Sequence, residues 1–191
     1  MKSNITIFLD CFGLFSDAGL TKFFDLTFSR QDAARIKDQY CILGDAGEFT
    51  YTEIIHKVAE HLHRPYEEVL ALILSQYEIH EDMFDLAREL RKYHHVYLLS
   101  NCMKEQLEII FKGHPFDECF DGQIKSCDIH MQKPDKEIYE YALRAIPSST
   151  RVLFFDDTEK NIIAARENGI EGYVFKNATQ ARMILKDLGL L

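Results

Sequence analysis

Four separated stretches of the chain each carry an apolar run, or a short approach, to a polar residue suited to handling a phosphoryl group. Ile5-Thr6-Ile7-Phe8-Leu9 ends at Asp10, and Val96-Tyr97-Leu98-Leu99 ends at Ser100-Asn101. Val152-Leu153-Phe154-Phe155 ends at Asp156-Asp157, and Met131-Gln132 makes a shorter approach to Lys133-Pro134. A carboxylate nucleophile, a hydroxyl, an ammonium and two metal-binding carboxylates would suffice for phosphoryl transfer through an aspartyl intermediate.

Each residue also has a plainer reading. Asp10 at the end of a buried strand can be a nucleophile, a metal ligand, both, or a helix cap. Attack by an anion on a dianionic phosphate monoester needs a cation, and Mg²⁺ fits through its oxygen-rich octahedral shell. Adjacent Asp156 and Asp157 repel each other unless a cation holds them or one takes a proton. Asn161, one helical turn past Asp157, could position a carboxylate or a metal-bound water. The alternative is an N-cap and one solvated acid. Ser100 and Asn101, between a strand and a helix N-terminus, offer a hydroxyl and free backbone N–H groups to a phosphoryl oxygen, or simply a cap. Lys133 can offset developing negative charge, or be a solvated surface lysine.

These residues need elements to hold them. At 191 residues the chain fits one domain, or one domain with a smaller insert. It is 47% hydrophobic, enough for a sizeable core, and its net charge of -9 argues against a nucleic-acid partner. No apolar run approaches a membrane span of about 20 residues. The N-terminal apolar run stops at Asp10, too early for a signal-peptide core. Cys11, Cys41, Cys102, Cys119 and Cys127 form no CxxC pair and read as reduced thiols of a cytoplasmic protein.

Residues 4–9 form the first strand candidate, and the pattern turns helical from about Asp17 to Tyr93. Thr50 with Glu53 suggests a capping box, and Pro65 fits the first turn of the following helix. Beyond residue 94 strand and helix alternate: strand 95–99, helix 103–112, strand 123–126, helix 135–145, strand 152–155, helix 159–168, strand 172–175 and helix 178–188. Such alternation predicts an α/β fold with parallel pairing and right-handed crossovers. A crossover needs only about a dozen residues, so 16–93 reads as a helical domain inserted after the first strand. Residues 1–15 and 94–191 then make the core. The insert would lie over the carboxyl ends of the strands, where ligands of open α/β sheets bind. Its polar residues, including His56, His61, His63, Tyr51 and Tyr77, are candidates for substrate contact. His94-His95 reads as a surface turn.

In its motifs the chain resembles the haloacid dehalogenase-like hydrolase superfamily, in the branch with a helical cap and nearest its small sugar-phosphate phosphatases. Phe8-Leu9-Asp10-Cys11-Phe12-Gly13 resembles the first motif, Leu98-Leu99-Ser100-Asn101 the second, Gln132-Lys133-Pro134-Asp135 the third, and Phe154-Phe155-Asp156-Asp157 with Asn161 the fourth. The resemblance implies a Rossmann-like three-layer parallel sheet core with a helical cap. It also implies a nucleophilic Asp10, phosphate held by Ser100 and Asn101, and charge stabilised by Lys133. Mg²⁺ would be held by Asp10, Asp156, Asp157 and the backbone carbonyl of Phe12. The implied substrate is a small phosphorylated metabolite.

Phe12 is the departure. Most phosphatases of this superfamily have Asp at that position as general acid and base, and losing such a group costs about 10² to 10⁴ in rate. The enzyme could then be slow or use a substrate with a good leaving group. Asp17 could take over the role, or the site could bind phosphorylated ligands without turnover. A metal-free haloacid dehalogenase is a further alternative, since an aromatic second residue is similar to that family. Asp156-Asp157 weighs against it, because the pair would repel a haloacid carboxylate.

Overall fold

Strands β1 (Ile5–Leu9), β2 (His95–Ser100), β3 (Gly122–Lys125), β4 (Arg151–Asp156) and β5 (Glu171–Val174) form one parallel sheet in the order β3-β2-β1-β4-β5. This computed structural model describes residues 2–148 and 151–191. The strand order reverses beside β1, which lies between β2 and β4, and such a switch point opens a crevice at the strands' carboxyl ends. Leu9 pairs with Leu98 on one side and Phe155 on the other. That register sets Asp10 level with Asp156, and the chain leaves β2 into Asn101 close by.

The two-residue period of the strands divides their side chains between two faces. Ile7, Leu9, Val96, Leu98, Leu153 and Phe155 face a core shared with α6 (Glu81–Arg91), α7 (Gln106–Ile110) and α11 (Ala178–Asp187). Phe8, Leu99, Ile124 and Phe154 face α9 (Lys136–Ala145) and α10 (Glu159–Glu167). The short α8 (Ser126–Ile129) follows β3. These are the three layers of a Rossmann-like α/β fold.

Residues 19–74 are helical: α1 (Gly19–Thr27), α2 (Arg30–Ile36), a π turn Lys37–Cys41, α3 (Ile42–Asp45), α4 (Tyr51–Leu62) and α5 (Tyr66–Leu74). They bury an apolar cluster of their own, including Leu20, Phe24, Ile36, Tyr51, Ile54, Val69 and Ile73. Met103, from the loop after β2, is the buried residue of the sheet domain that joins it. The segment 16–93 thus contains one helix, α6, whose buried Met83, Phe84, Leu86, Ala87 and Leu90 belong to the sheet's core. An amphipathic pattern shows that a helix has an apolar face but not what that face meets. The capping box of α4 is formed: the Thr50 hydroxyl accepts from the Glu53 N–H, and the Glu53 carboxylate accepts from the Thr50 N–H.

Several expectations need correction. Helix 103–112 is only Gln106–Ile110. Lys104 bridges to Thr50 and its carbonyl accepts from the Tyr51 N–H, so residues before Gln106 pair with the helical layer instead of starting a helix. Helix 135–145 begins at Lys136, with Asp135 as its N-cap. His94 is buried, with Ser3 on its Nδ1 and the Leu190 carbonyl on its Nε2, and is no surface turn. Pro65 is the N-cap of α5, one position before the first turn.

The turn ending α3 is fixed to the sheet domain by polar contacts. Buried Ser126 donates to the Asp45 carbonyl at 2.6 Å and accepts from the Cys102 N–H at 3.0 Å. His130 Nδ1 lies 2.7 Å from the Ala46 carbonyl, and Gln132 donates to the Ile42 carbonyl at 2.9 Å. Gly47, at φ +86°, passes so close that an added Cβ would sit 2.5 Å from the Cys127 carbonyl. None of the described helices is long and apolar enough to cross a membrane. Ser126→Ala strands the Cys102 N–H and frees the α3 turn, so it should cost about 1–3 kcal/mol in denaturant unfolding. An unchanged midpoint would show that this contact does not hold the two layers together.

Candidate active site

Lys133 organises the site. Its ammonium lies 2.8 Å from Asp10 Oδ1 and 2.6 Å from Asp156 Oδ2, and 5.2 Å from the centre of the Phe154 ring. All three charged residues are buried. Asp10 Oδ1 also accepts from the Cys11 N–H at 2.7 Å, whereas Oδ2 accepts no hydrogen bond among the described residues. One oxygen is therefore fixed and the other is open.

Asp156 is held by three further bonds. Asn161 Nδ2 donates to both its oxygens at 3.0 Å, and the Thr158 N–H donates to Oδ1 at 2.8 Å. Asn161 thus positions a carboxylate, one of the two roles expected of it. Tyr139 donates to the Asn161 carbonyl at 2.9 Å, tying α9 to the start of α10. Asp157 accepts from the Thr158 hydroxyl at 3.1 Å and forms no ion pair among the described residues.

Oxygens of Asp10, Asp156 and Asp157 come within 4.8 Å of one another. Three acids face one lysine, so their negative charge exceeds what Lys133 can offset. Burial, reinforced by Asp156 and opposed by Lys133, pushes the Asp10 carboxyl up to about 8. Burial and Asp156 likewise raise Asp157. The buried Asn161 Oδ1 has no hydrogen-bond partner among the described residues, an acceptor a metal-bound water could satisfy. Excess charge, all-oxygen donors and an orphaned acceptor fit a hard divalent cation such as Mg²⁺.

Gly13 sets how close the first and fourth motifs come. Its φ is +83°, and an added Cβ would sit 2.3 Å from Asp157 Oδ2. The -Asp10-Cys11-Phe12-Gly13- run therefore carries a steric requirement that spacing alone did not reveal. A cleft of about 390 Å³ opens over the site, lined in part by Asp10, Phe12, Asp17, Asn101, Lys133 and Asp157. Asp17 pairs with His80 Nε2 at 3.4 Å and Lys22 at 3.8 Å.

Ser100 and Asn101 are more committed than the sequence suggests. Ser100 is fully buried and its hydroxyl donates to the Asn101 carbonyl at 3.3 Å. The Asn101 amide makes a reciprocal pair with the Lys133 backbone, at 2.9 Å to its carbonyl and 2.8 Å from its N–H. The N–H groups expected to be free are bonded: Cys102 to Ser126 and Met103 to Gln106. Of the polar residues expected to contact substrate from the helical layer, Tyr77 reaches the site, its ring 6.4 Å from that of Phe12. Tyr51 stands behind it at 3.2 Å, hydroxyl to hydroxyl. His56 stacks on Tyr66 and His61 lies against Phe28. Asp45 lines a smaller space beside Phe12, brought there by packing of α3 on the sheet domain that no local pattern marks.

The family model for haloacid dehalogenase-like hydrolases matches residues 44–169. The chain belongs to the haloacid dehalogenase-like (HAD) hydrolases. Among curated proteins it is 32% identical over 94 residues to a sesquiterpene phosphatase of Aspergillus oryzae, covering 49% of this chain and 48% of that one. It is 33% identical over 105 residues to a D-ribitol-5-phosphate phosphatase of Bacteroides thetaiotaomicron, covering 50% of each. The chain spans about half the length of these curated relatives. A HAD family enzyme of Bacteroides thetaiotaomicron, solved with magnesium and inorganic phosphate, superposes with a TM-score of 0.72 at 21% identity, over 91% of this chain and 94% of that one. The L-2-haloacid dehalogenase RSc1362 superposes at 0.60 and 17% identity, over 90% and 86%. At these identities the structural likenesses establish the HAD fold.

Asp10's raised carboxyl sets a sign. A buried acid whose folded value exceeds its ordinary 3.8 lowers stability as pH rises from there towards about 8. A cation competes with the proton and should bind better at higher pH. Millimolar Mg²⁺ should therefore raise the thermal midpoint more at about pH 8 than at about pH 5. Gly13→Ala should remove most of that shift by displacing Asp157. An equal shift at both pH values, or one that survives Gly13→Ala, would contradict this geometry.

Proposed function

We propose that this HAD hydrolase is a Mg²⁺-dependent phosphatase of small phosphorylated metabolites, acting through phosphorylation of Asp10. The convergence of three carboxylates, two of them paired with one buried lysine, carries the reading. The curated relatives named as phosphatases support it. Mg²⁺ would be held by Asp10, Asp156, Asp157 and the Phe12 backbone carbonyl, and when bound it offsets the charge of the nucleophile and the phosphoryl oxygens.

In the first step, Asp10 Oδ2 attacks phosphorus while Oδ1 stays bonded to Lys133 and the Cys11 N–H. The phosphorus–oxygen bond to the leaving alcohol breaks as the aspartyl phosphate forms. Lys133 offsets charge on Asp10 and the transferring group. Ser100 and Asn101 would hold phosphoryl oxygens, Ser100 after its hydroxyl turns from the Asn101 carbonyl. A water then attacks phosphorus, releasing phosphate and restoring the Asp10 carboxylate.

Phe12 can neither give a proton to the leaving oxygen nor take one from the water. Asp17 lines the same cleft outside the acid cluster and is the carboxyl we assign to both transfers. The helical layer of residues 19–74 acts as the cap that excludes water and selects substrate. A dehalogenase reading is disfavoured because it leaves Asp156 and Asp157 without a cation beside a haloacid carboxylate.

A phosphate-ester panel should show turnover that is lost in chelator and in Asp10→Asn. Asp17→Asn should lower kcat by about 10² or more, and Phe12→Asp should raise it by about tenfold or more. Phosphate release indifferent to both Mg²⁺ and Asp10 would rule the proposal out. Tight, Mg²⁺-dependent binding of phosphate without product from any ester would indicate a phospholigand-binding protein instead.

A further inference from the structure

A second, smaller cavity of about 70 Å³ lies between the helical layer and the sheet domain. Phe12, Ala18 and Asn101 line both this cavity and the cleft over Asp10. The two spaces are therefore neighbours with Phe12 in their shared wall. The shared wall puts the smaller space next to the cleft in which a phosphate at Asp10 would carry its leaving group.

The walls of that cavity are mostly apolar or already bonded. Leu20 and Met103 supply hydrocarbon. The Gln106 side-chain Oε1 accepts from the Met103 N–H at 3.0 Å, and its Nε2 donates to the Tyr77 hydroxyl at 3.4 Å. Thr21 donates to the Ala18 carbonyl at 2.9 Å. Asp45 differs from these. Its carboxylate makes no hydrogen bond or ion pair among the described residues, although burial pushes the group up to about 7. Lys133 pulls it the other way, but that ammonium is already shared by Asp10 and Asp156. The Asp45 backbone is fixed by Ser126, which keeps its carboxylate at the cavity wall with no counter-charge bonded to it among the described residues.

We propose that this cavity takes the ammonium end of a short phosphorylated amino alcohol, with Asp45 as counter-ion and the Phe12 and Tyr77 rings beside it. The inference rests on the phosphatase reading for where the phosphate sits. Three features select the cation. A half-buried carboxylate with no bonded partner among the described residues gains more from a charged donor than from a hydroxyl. Two aromatic rings with centroids 6.4 Å apart and tilted by 43° offer π surface to a positive charge. The cavity's size admits only a handful of water-sized groups, which suits a two- or three-carbon chain better than an isoprenoid. Phe12 then has a use: it replaces a second acid with a surface that lets the cationic end pass towards Asp45.

The decisive comparison is 2-aminoethyl phosphate against propyl phosphate, which has the same heavy-atom count and a neutral end. With Mg²⁺ the wild-type protein should favour the amine in kcat/KM by about tenfold or more. Asp45→Asn should abolish the preference by losing the amine alone, and its retained turnover of propyl phosphate shows that the variant is folded and active. Equal kcat/KM values, or a preference that survives Asp45→Asn, would overturn the assignment. If neither ester is turned over, the phosphatase reading is still judged on the ester panel, and calorimetric titration of the same two esters decides the assignment of the cavity. Tighter binding of the amine that Asp45→Asn removes supports the cavity, and equal affinities or no binding refute it.

Discussion

One ammonium, buried between two carboxylates 2.8 and 2.6 Å away, is the constraint from which the rest of the site follows. Removing charges from water costs several kcal/mol each, and only close geometry with further hydrogen bonds offsets it. The fold supplies those bonds from four elements. β1 brings Asp10, β4 brings Asp156, the loop before α9 brings Lys133, and α10 brings Asn161 with both Asp156 oxygens on its amide. Asn101, at the end of β2, clamps the Lys133 backbone. The strand order makes this possible, because it sets β1 between β2 and β4.

The arrangement remains short of positive charge. Asp157 adds a third carboxylate that Lys133 does not pair with, held close by a glycine with no room for a side chain. Such an imbalance is costly in a folded protein unless something relieves it, either protons on the acids or a cation among them. The same imbalance recurs at Asp45 on the other side of Phe12. Both are carboxylates whose backbone or side chain is anchored nearby while their charge stays unpaired among the described residues. Polar groups in a stable fold are ordinarily satisfied, so groups left unsatisfied at a cleft point to ligands.

Much of this was legible in the sequence because each site residue ends an apolar run or begins a helix. Alternation of strands and helices beyond residue 94 announced the parallel sheet, and Thr50 with Glu53 announced α4. What escaped depends on contacts between distant segments. The Thr50–Lys104 bridge delays α7 to Gln106, and nothing near Asn101 signals it. Helix α6 carries the same kind of apolar stripe as its neighbours, yet it packs on the sheet. His94 looked like a surface residue until Ser3 and Leu190 closed over it. Asp45 sits at the end of a four-residue helix whose position is set by Ser126, His130 and Gln132, about eighty or more residues away in the chain. Local patterns report an element's own preference. They do not report which element will lie against it.

The most direct measurement is the fate of the phosphoryl group itself. The protein is mixed with a turned-over phosphate ester and Mg²⁺, quenched in acid within the first turnovers, digested and mapped by mass spectrometry. The account predicts an acid-stable, base-labile phosphate on Asp10, absent in chelator. Phosphate on any other residue, or turnover with no labelled Asp10 under conditions that trap acyl phosphates, would contradict it.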